Sequence, residues 1–307
     1  MTQTWMIQIK IIKHSRSDMN IKNQLLSIAL LLVTTVSTAQ NHISYAYKTL
    51  NGTTEKLDAV ISRAPTEGKK PAVVILHHSG GWDAGTNKQY VELLTRNGFI
   101  TVEPIMFRRP TKTTYGESLA KAMGAINFLS TQPDVDMGHV SIIGTSYGAN
   151  LSVFMATQWA SEKFLSVPIK ISKVAALYPV CWFYPKLIKR DTNSWFFKER
   201  LQDFPEGFMD HWTNTPMKLF AAGQDDYNDK DAAACTSFKE ALTSETQKAL
   251  TSVVVYPEAT HGWDQGRTFS FHEPAACQSK GCTNTNAFNP AVTAQAKKEL
   301  LNFLTAD

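Results

Sequence analysis

The feature that most constrains the fold is a series of short apolar runs, rich in β-branched residues, that alternate with helical patterns. Two runs flank the turn signal Asn51-Gly52, and six more follow, so that the eight runs lie at residues 43–49, 56–63, 71–78, 98–105, 139–144, 174–180, 217–222 and 252–256. The last six lack the two-residue alternation of half-exposed strands, so we expect helices to cover both of their faces. The pattern predicts an α/β fold with a mostly parallel, eight-stranded sheet flanked by helices.

Two stretches interrupt this alternation, at residues 181–216 and 263–290. The first lies between the sixth and seventh strands and contains nine aromatic residues. It is interpreted either as a cap over a pocket or as a segment that packs onto the core, and both alternatives stay open. The second is predicted to be irregular. The last helix is marked by apolar spacing, with Asn289 as its N-cap and Pro290 at its first position.

Residues 1–39 have the layout of a secretory signal peptide. Basic residues precede an apolar run, Leu25–Val36, and small residues follow it, which predicts cleavage between Ala39 and Gln40 and a mature domain at 40–307. The run is shorter than the roughly 20 apolar residues that span a bilayer, so no stable membrane anchor is expected. Met19 is an alternative start. We expect an exported protein, periplasmic or secreted.

The charge of the chain excludes one class of function. The formal net charge is +4, and residues 1–39 carry an excess of three positive charges. The remainder is nearly neutral and has no clustered basic face, which a nucleic-acid partner would need.

Four cysteines, all in the predicted mature part, agree with an oxidising compartment. They allow three pairings. Cys277 and Cys282 are separated by a short loop and form a natural pair, which leaves Cys181 with Cys235. A metal site is the alternative, but the spacing contains no pair of the CxxC type with a matched histidine.

The sequence Gly144-Thr145-Ser146-Tyr147-Gly148 follows a predicted strand and precedes a helical run. This order defines a nucleophile elbow, in which a sharp turn exposes the serine at the edge of the sheet. Side chains two residues either side of Ser146 would collide, which accounts for Gly144 and Gly148. A serine hydroxyl needs a base to take its proton, so Ser146 predicts a catalytic histidine elsewhere.

His261 follows the last predicted strand and is the predicted base. The acid that orients it should follow the seventh strand, where Asp225 and Asp226 are adjacent. Asp226 is the predicted acid, with Asp225 as the alternative. The order serine, aspartate, histidine is that of α/β-hydrolases.

The oxyanion of the tetrahedral intermediate needs hydrogen-bond donors. One is predicted to be the backbone N–H of Tyr147, directly after the nucleophile. The second should come from the loop that starts at His78, with Ser79 or Gly80 as the donor. His77 and His78 are expected to hold this loop by hydrogen bonds.

Together, the segments HHSGG, GTSYG, AAGQDD and YPEATHGWD make the chain resemble the α/β-hydrolase superfamily, and within it the dienelactone hydrolase-like family. The resemblance covers residues 43–305. The family's GxxD pattern points to Asp226, and its YPxAxHxFD pattern is met by Tyr256–Asp264, with Trp263 where Phe is usual. Exported relatives of this kind also place cysteines near Cys181 and Cys235. True dienelactone hydrolases have cysteine where this chain has Ser146, so the resemblance implies acyl transfer to water without that particular substrate.

The sequence therefore predicts an exported serine hydrolase that cleaves a small-molecule carboxylic ester or lactone through an acyl-enzyme, with no metal or organic cofactor. Two alternatives stay open. One is a peptidase or amidase on the same fold, and the other is a catalytically silent binding protein that keeps the hydrolase fold.

Overall fold

The computed structural model describes residues 39–64, 67–109, 113–277, 279 and 281–306. The predicted leader, apart from Ala39, lies outside the described residues, and its cleavage stays a prediction. The division of the chain into a leader and one mature domain is likewise an expectation.

The eight predicted strands are all present and form one sheet. In chain order they are β1 (Ala39–Lys48), β2 (Thr54–Arg63), β3 (Lys70–Leu76), β4 (Ile100–Pro104), β5 (Val135–Thr145), β6 (Val174–Leu177), β7 (Met217–Ala222) and β8 (Thr251–Tyr256). Their spatial order is β1-β2-β4-β3-β5-β6-β7-β8. β2 pairs antiparallel with β1 and β4, and the other neighbours run parallel. The mostly parallel sheet is thus confirmed.

The helices pack on both faces of this sheet. They are α1 (Lys88–Arg96), α2 (Tyr115–Leu129), α3 (Tyr147–Met155), α4 (Gln158–Phe164), α5 (Tyr184–Ile188), α6 (Trp195–Arg200), α7 (Ala234–Ala241), α8 (Glu245–Leu250) and α9 (Pro290–Thr305). Alternate residues of β3 enter two separate apolar clusters: Val74 packs with α2 and α3, and Val73 with α1 and α9. Successive strand side chains point to opposite faces, so β3, β4, β6 and β7 are buried on both sides, as their sequences predict. The prediction was wrong for the edge strand β8, which is exposed or half-buried between Ser252 and Val255.

The N-cap predicted for the last helix is present, because the Asn289 side chain accepts a hydrogen bond from the Val292 N–H at 3.1 Å. Within the described part of the chain, no helix has the length and apolar character needed to cross a membrane.

The aromatic insertion between β6 and β7 packs onto the core, as the second of its two interpretations proposed. Phe154 of α3 lies with its ring centre 5.1 Å from that of Phe204 and 5.3 Å from that of Phe208. Such ring contacts add to the burial of apolar area. Residues of the insertion between Leu187 and Met209 also line a cavity of about 300 Å³.

The second interrupted stretch contains regular structure that the sequence did not indicate. β9 (Phe269–His272) and β10 (Thr283–Asn286) form a two-stranded antiparallel hairpin. The expectation of an irregular segment was wrong for these strands. β9 has only the short alternation Phe-Ser-Phe-His and β10 has only polar residues, so neither contains the apolar run by which a buried strand is detected.

Both predicted disulfides are present, Cys181–Cys235 and Cys277–Cys282. The four cysteines are therefore not available as metal ligands. Cys181 and Cys235 are buried, and they join the start of the aromatic insertion to α7.

Removing the two bridges should destabilise the protein to different extents. Closing the 54-residue separation of Cys181 and Cys235 restricts the unfolded chain more than closing the separation of 5 between Cys277 and Cys282. Loop-closure entropy gives losses of about 4 and about 2 kcal/mol in the free energy of unfolding. Denaturant unfolding of the two double Cys→Ala variants measures these losses, and a larger loss for the shorter loop would contradict the argument.

Candidate active site

The turn that carries Ser146 is too tight for side chains at its flanking glycines. A Cβ atom on Gly144 would lie 2.1 Å from the Gly148 carbonyl oxygen, and one on Gly148 would lie 2.3 Å from the Leu76 oxygen. Ser146 itself has a φ of 51°, a left-handed conformation that is strained for a residue with a side chain. Its N–H donates to the Leu177 carbonyl at 2.9 Å, which anchors the turn to β6. The strand, elbow and helix are arranged as predicted.

Three buried side chains form a continuous hydrogen-bonded chain at this edge. His261 Nε2 lies 2.7 Å from Ser146 Oγ, and His261 Nδ1 lies 2.8 Å from Asp225 Oδ2. A carboxylate only accepts hydrogen bonds, so Nδ1 carries the imidazole proton and Nε2 accepts from the serine hydroxyl. The imidazole is thus in the tautomer that can remove the Ser146 proton.

The structure places Asp225 against His261 and directs Asp226 elsewhere, so the prediction of Asp226 as the partner of His261 is corrected. Asp226 Oδ2 accepts from the Thr285 N–H at 2.8 Å, and its other oxygen lies 3.5 Å from Lys230 Nζ. The cause is local: a single 3₁₀ turn starts at Asp226, and Asp225 is the extended residue before it. The Asp225 side chain faces the sheet edge, and Asp226 is turned towards β10.

Asn228 supports the carboxylate and was not identified from the sequence. Its Nδ2 donates to Asp225 Oδ2 at 3.3 Å, and its Oδ1 accepts from the backbone N–H groups of Cys181 and Trp182 at 2.7 and 3.1 Å. It therefore joins Asp225 to the first residues of the aromatic insertion. The one feature of the sequence that could have indicated Asn228 is its position three residues after Asp225, because a turn brings side chains at that spacing together.

The loop after β3 is held by the two histidines, as expected. His77 Nδ1 lies 3.0 Å from the His78 carbonyl oxygen, and His78 Nδ1 accepts from the Gly80 N–H at 2.8 Å. The Gly80 amide is thus bound within the loop. Arg109 Nε donates to the Ser79 carbonyl at 2.7 Å and fixes the outer side of the same turn.

Both histidines stay neutral near pH 7. Burial lowers the pKa of His77 to about 4. Burial is also the main reason that the pKa of His78 falls to about 4, and electrostatic interactions with the neighbouring His77, His261 and Arg109 side chains act in the same direction. A neutral His78 can accept from Gly80 through Nδ1, whereas a protonated one cannot.

Tyr147 is the first residue of α3, so its N–H has no carbonyl within the helix to bond to. Its ring stacks on Tyr115 with ring centres 4.2 Å apart, and its hydroxyl donates to the Thr114 carbonyl at 2.9 Å. The predicted oxyanion donor thus belongs to a residue whose side chain is fixed at both ends.

Comparison with protein-family models gives one match, to residues 123–181, for the family described as BAAT / Acyl-CoA thioester hydrolase C terminal. The matched stretch contains the elbow. A search of curated protein sequences gave no significant match.

Solved structures resemble the whole fold. Est1E from Butyrivibrio proteoclasticus is 16% identical with a TM-score of 0.55, over 86% of this chain and 100% of that one. The dienelactone hydrolase-like promiscuous phosphotriesterase P91 from metagenomic libraries is 15% identical with a TM-score of 0.53, over 87% and 98%. Acylaminoacyl peptidase from Pyrococcus horikoshii is 16% identical with a TM-score of 0.56, over 87% of this chain but only 41% of that one.

These likenesses show that the chain has the α/β-hydrolase fold. Dienelactone hydrolase-like proteins are among the structures that share it, which confirms the resemblance at the level of the fold.

Exchanging each of the two adjacent aspartates for asparagine should separate their roles. Asp225→Asn leaves His261 without the acceptor that holds its tautomer, and we expect kcat for an activated ester to fall by about 10⁴-fold. Asp226→Asn is the matched control and should keep kcat within about threefold, since its contacts are to β10 and Lys230. Equal activity of the two variants would contradict the geometry.

Acid should destabilise the loop after β3 through His78. Its pKa is about 4 when folded and about 6.5 when unfolded, so the unfolded chain binds the proton more readily. The stability is present above pH 6.5 and is lost as the pH falls towards 4. In His78→Asn, the amide oxygen replaces Nδ1 and does not titrate. The free energy of unfolding of the wild type, relative to this variant, should fall by about 3 kcal/mol between pH 7.5 and pH 4. A difference that is constant with pH would argue against a buried neutral His78.

Proposed function

We propose that this protein is a serine hydrolase that cleaves a carboxylic ester or lactone through an acyl-enzyme. The observation that carries the proposal is the unbroken chain of hydrogen bonds from Ser146 through His261 to Asp225, at 2.7 and 2.8 Å. All three side chains are buried at the carboxyl edge of a parallel sheet, where loops from neighbouring strands converge.

Ser146 is the nucleophile in this proposal. Its Oγ forms a bond to the substrate carbonyl carbon while its proton moves to His261 Nε2. Asp225 stabilises the resulting imidazolium through the Nδ1 proton without taking that proton. The carbonyl π pair becomes the oxyanion of the tetrahedral intermediate. When that intermediate collapses, the bond to the alcohol oxygen breaks, and the proton on Nε2 passes to the leaving alcohol.

The oxyanion donors are the backbone N–H groups of Tyr147 and Ser79. Tyr147 begins α3, whose helix dipole also favours negative charge at this end. Gly80 was the other candidate in the loop, but its N–H is already bonded to His78 at 2.8 Å. Ser79 is therefore the preferred second donor.

Water then attacks the acyl-enzyme by the same steps: His261 takes its proton, the carboxylic acid is released, and Ser146 regains its hydrogen.

Export of the protein is part of the proposal. The support is the signal-like layout of residues 1–39 together with two disulfides, which persist in oxidising compartments.

A thioester is the second substrate candidate, and the match of residues 123–181 to an acyl-CoA thioester hydrolase family favours it. The same acyl-enzyme chemistry applies, with a thiol as the leaving group. A peptide is the third substrate candidate, because the acylaminoacyl peptidase shares this fold. An amine is a poorer leaving group, so its departure depends more strongly on the proton held by His261.

A fluorophosphonate probe should label the wild-type protein on Ser146, and the protein should hydrolyse p-nitrophenyl esters. Ser146→Ala should lose the label and at least about 10⁴-fold in kcat, because no other group supplies the nucleophile. Ser152→Ala is the matched control, since Ser152 lies on the same helix and its hydroxyl donates to the Ala149 carbonyl at 2.7 Å. It should label and react like the wild type.

Rates on esters, an acyl-CoA and a blocked peptide, measured with the same preparation, distinguish the three substrate classes. An intact wild-type protein that neither labels nor hydrolyses any of them would favour a silent binding protein on this fold.

A further inference from the structure

Asp264 is a buried acid that the proposed mechanism does not use. Tyr178 donates a hydrogen bond to its Oδ1 at 2.9 Å, and Tyr90 of α1 donates to its Oδ2. Gln89 also donates to the Asp264 backbone carbonyl at 3.0 Å. Burying a carboxylate costs free energy unless it is hydrogen-bonded. These donors offset that cost, and the carboxylate in turn fixes the positions of the donor side chains.

Tyr178 is the unusual member of the set. It follows β6 directly, and its φ of 41° is left-handed, a strained conformation for an aromatic residue. Its N–H donates to the Phe220 carbonyl at 2.8 Å, and the preceding Leu177 carbonyl accepts from the Ser146 N–H at 2.9 Å. The strained residue is therefore bonded into the same strand end that anchors the nucleophile.

The Tyr178 ring contacts the imidazole of His261 edge-on, with ring centres 5.1 Å apart and planes at 72°. Among the described residues, the other aromatic ring in contact with this imidazole is that of Tyr227, at 4.4 Å. Rotation of a histidine ring about its Cβ–Cγ bond has only broad minima, so intrinsic rotamer preference does not set the ring plane. Surrounding contacts must do so.

Two contacts fix Tyr178 in turn. The bond from its hydroxyl to Asp264 lies at the far end of the side chain and sets its direction. The edge-on contact with Trp263, with ring centres 4.9 Å apart, limits rotation of its ring. Burial raises the pKa of the Tyr178 hydroxyl well above its usual value, so it keeps the proton that it donates.

We propose that Tyr178, with its side chain directed by the hydrogen bond to Asp264, is a positioning residue that sets the plane of the His261 imidazole for proton transfer from Ser146. This inference rests on the proposed serine hydrolase function. Its contribution is orientation: both hydrogen bonds of the imidazole need the ring in one plane, and small misplacements reduce the rate strongly.

Tyr90 provides a matched control for the test. Tyr90 and Tyr178 are both fully buried and both donate to Asp264, so each Tyr→Phe exchange removes one O–H donor from this carboxylate. Tyr178 contacts His261, whereas Tyr90 lies on α1 and packs in the apolar cluster with α9. A purely structural role of the Asp264 cluster would affect the two variants alike.

The experiment measures kcat and KM for a p-nitrophenyl ester, with kcat expressed per site titrated by the fluorophosphonate probe so that misfolded protein does not count. Tyr178→Phe should lower kcat about tenfold with KM within twofold of the wild type, and Tyr90→Phe should keep kcat within twofold. Asp264→Asn, which weakens the bond to Tyr178, should lower kcat per titrated site as Tyr178→Phe does.

Wild-type kcat per site in Tyr178→Phe, or equal losses in Tyr178→Phe and Tyr90→Phe, would overturn the positioning role while leaving the hydrolase function intact. A wild-type protein that the probe does not label would overturn the hydrolase function itself and the positioning role with it.

Discussion

The close approach of two peptide segments at Gly144 and Gly148 is the constraint on which the site depends. At 2.1 Å from a carbonyl oxygen, no Cβ can be accommodated, so the chain can reverse from β5 into α3 only with glycine at these positions. The reversal forces Ser146 to a φ of 51°, and that strain is offset by the packing of α3 against the sheet. The packing of a large apolar core thus keeps the Ser146 hydroxyl in place at the edge of the sheet.

Parallel topology brings the other members together. β5, β7 and β8 end at the same edge of the sheet, and Ser146, Asp225 and His261 each follow one of them. Residues 115 positions apart in the chain therefore meet within hydrogen-bond distance. Support also comes from outside the strands: Asn228 connects the acid to the aromatic insertion, and Asp226 connects the same turn to β10. Both insertions are thus tied to one short loop.

Much of the fold could be predicted from the sequence, because buried parallel strands and the elbow have strong local signals. Ser146 and His261 follow from strand order and residue type. The choice between Asp225 and Asp226 could not be made from the sequence, because it depends on the residue at which a single 3₁₀ turn begins. The GxxD pattern counted from Gly223 selects Asp226, one residue after the aspartate that contacts His261. β9 and β10 have four residues each, too few for an alternation of apolar and polar residues to stand out, and the role of Asn228 depends on tertiary contacts.

The disulfide connectivity has a consequence for how the chain matures. Each cysteine is bonded to the next cysteine along the sequence, the first to the second and the third to the fourth. A polypeptide that enters an oxidising compartment with its N-terminus first would expose Cys181 and then its own partner before any competing thiol arrives. Native pairs would therefore be the first ones available to a simple oxidant, and the chain could mature without an enzyme that reshuffles wrong bridges.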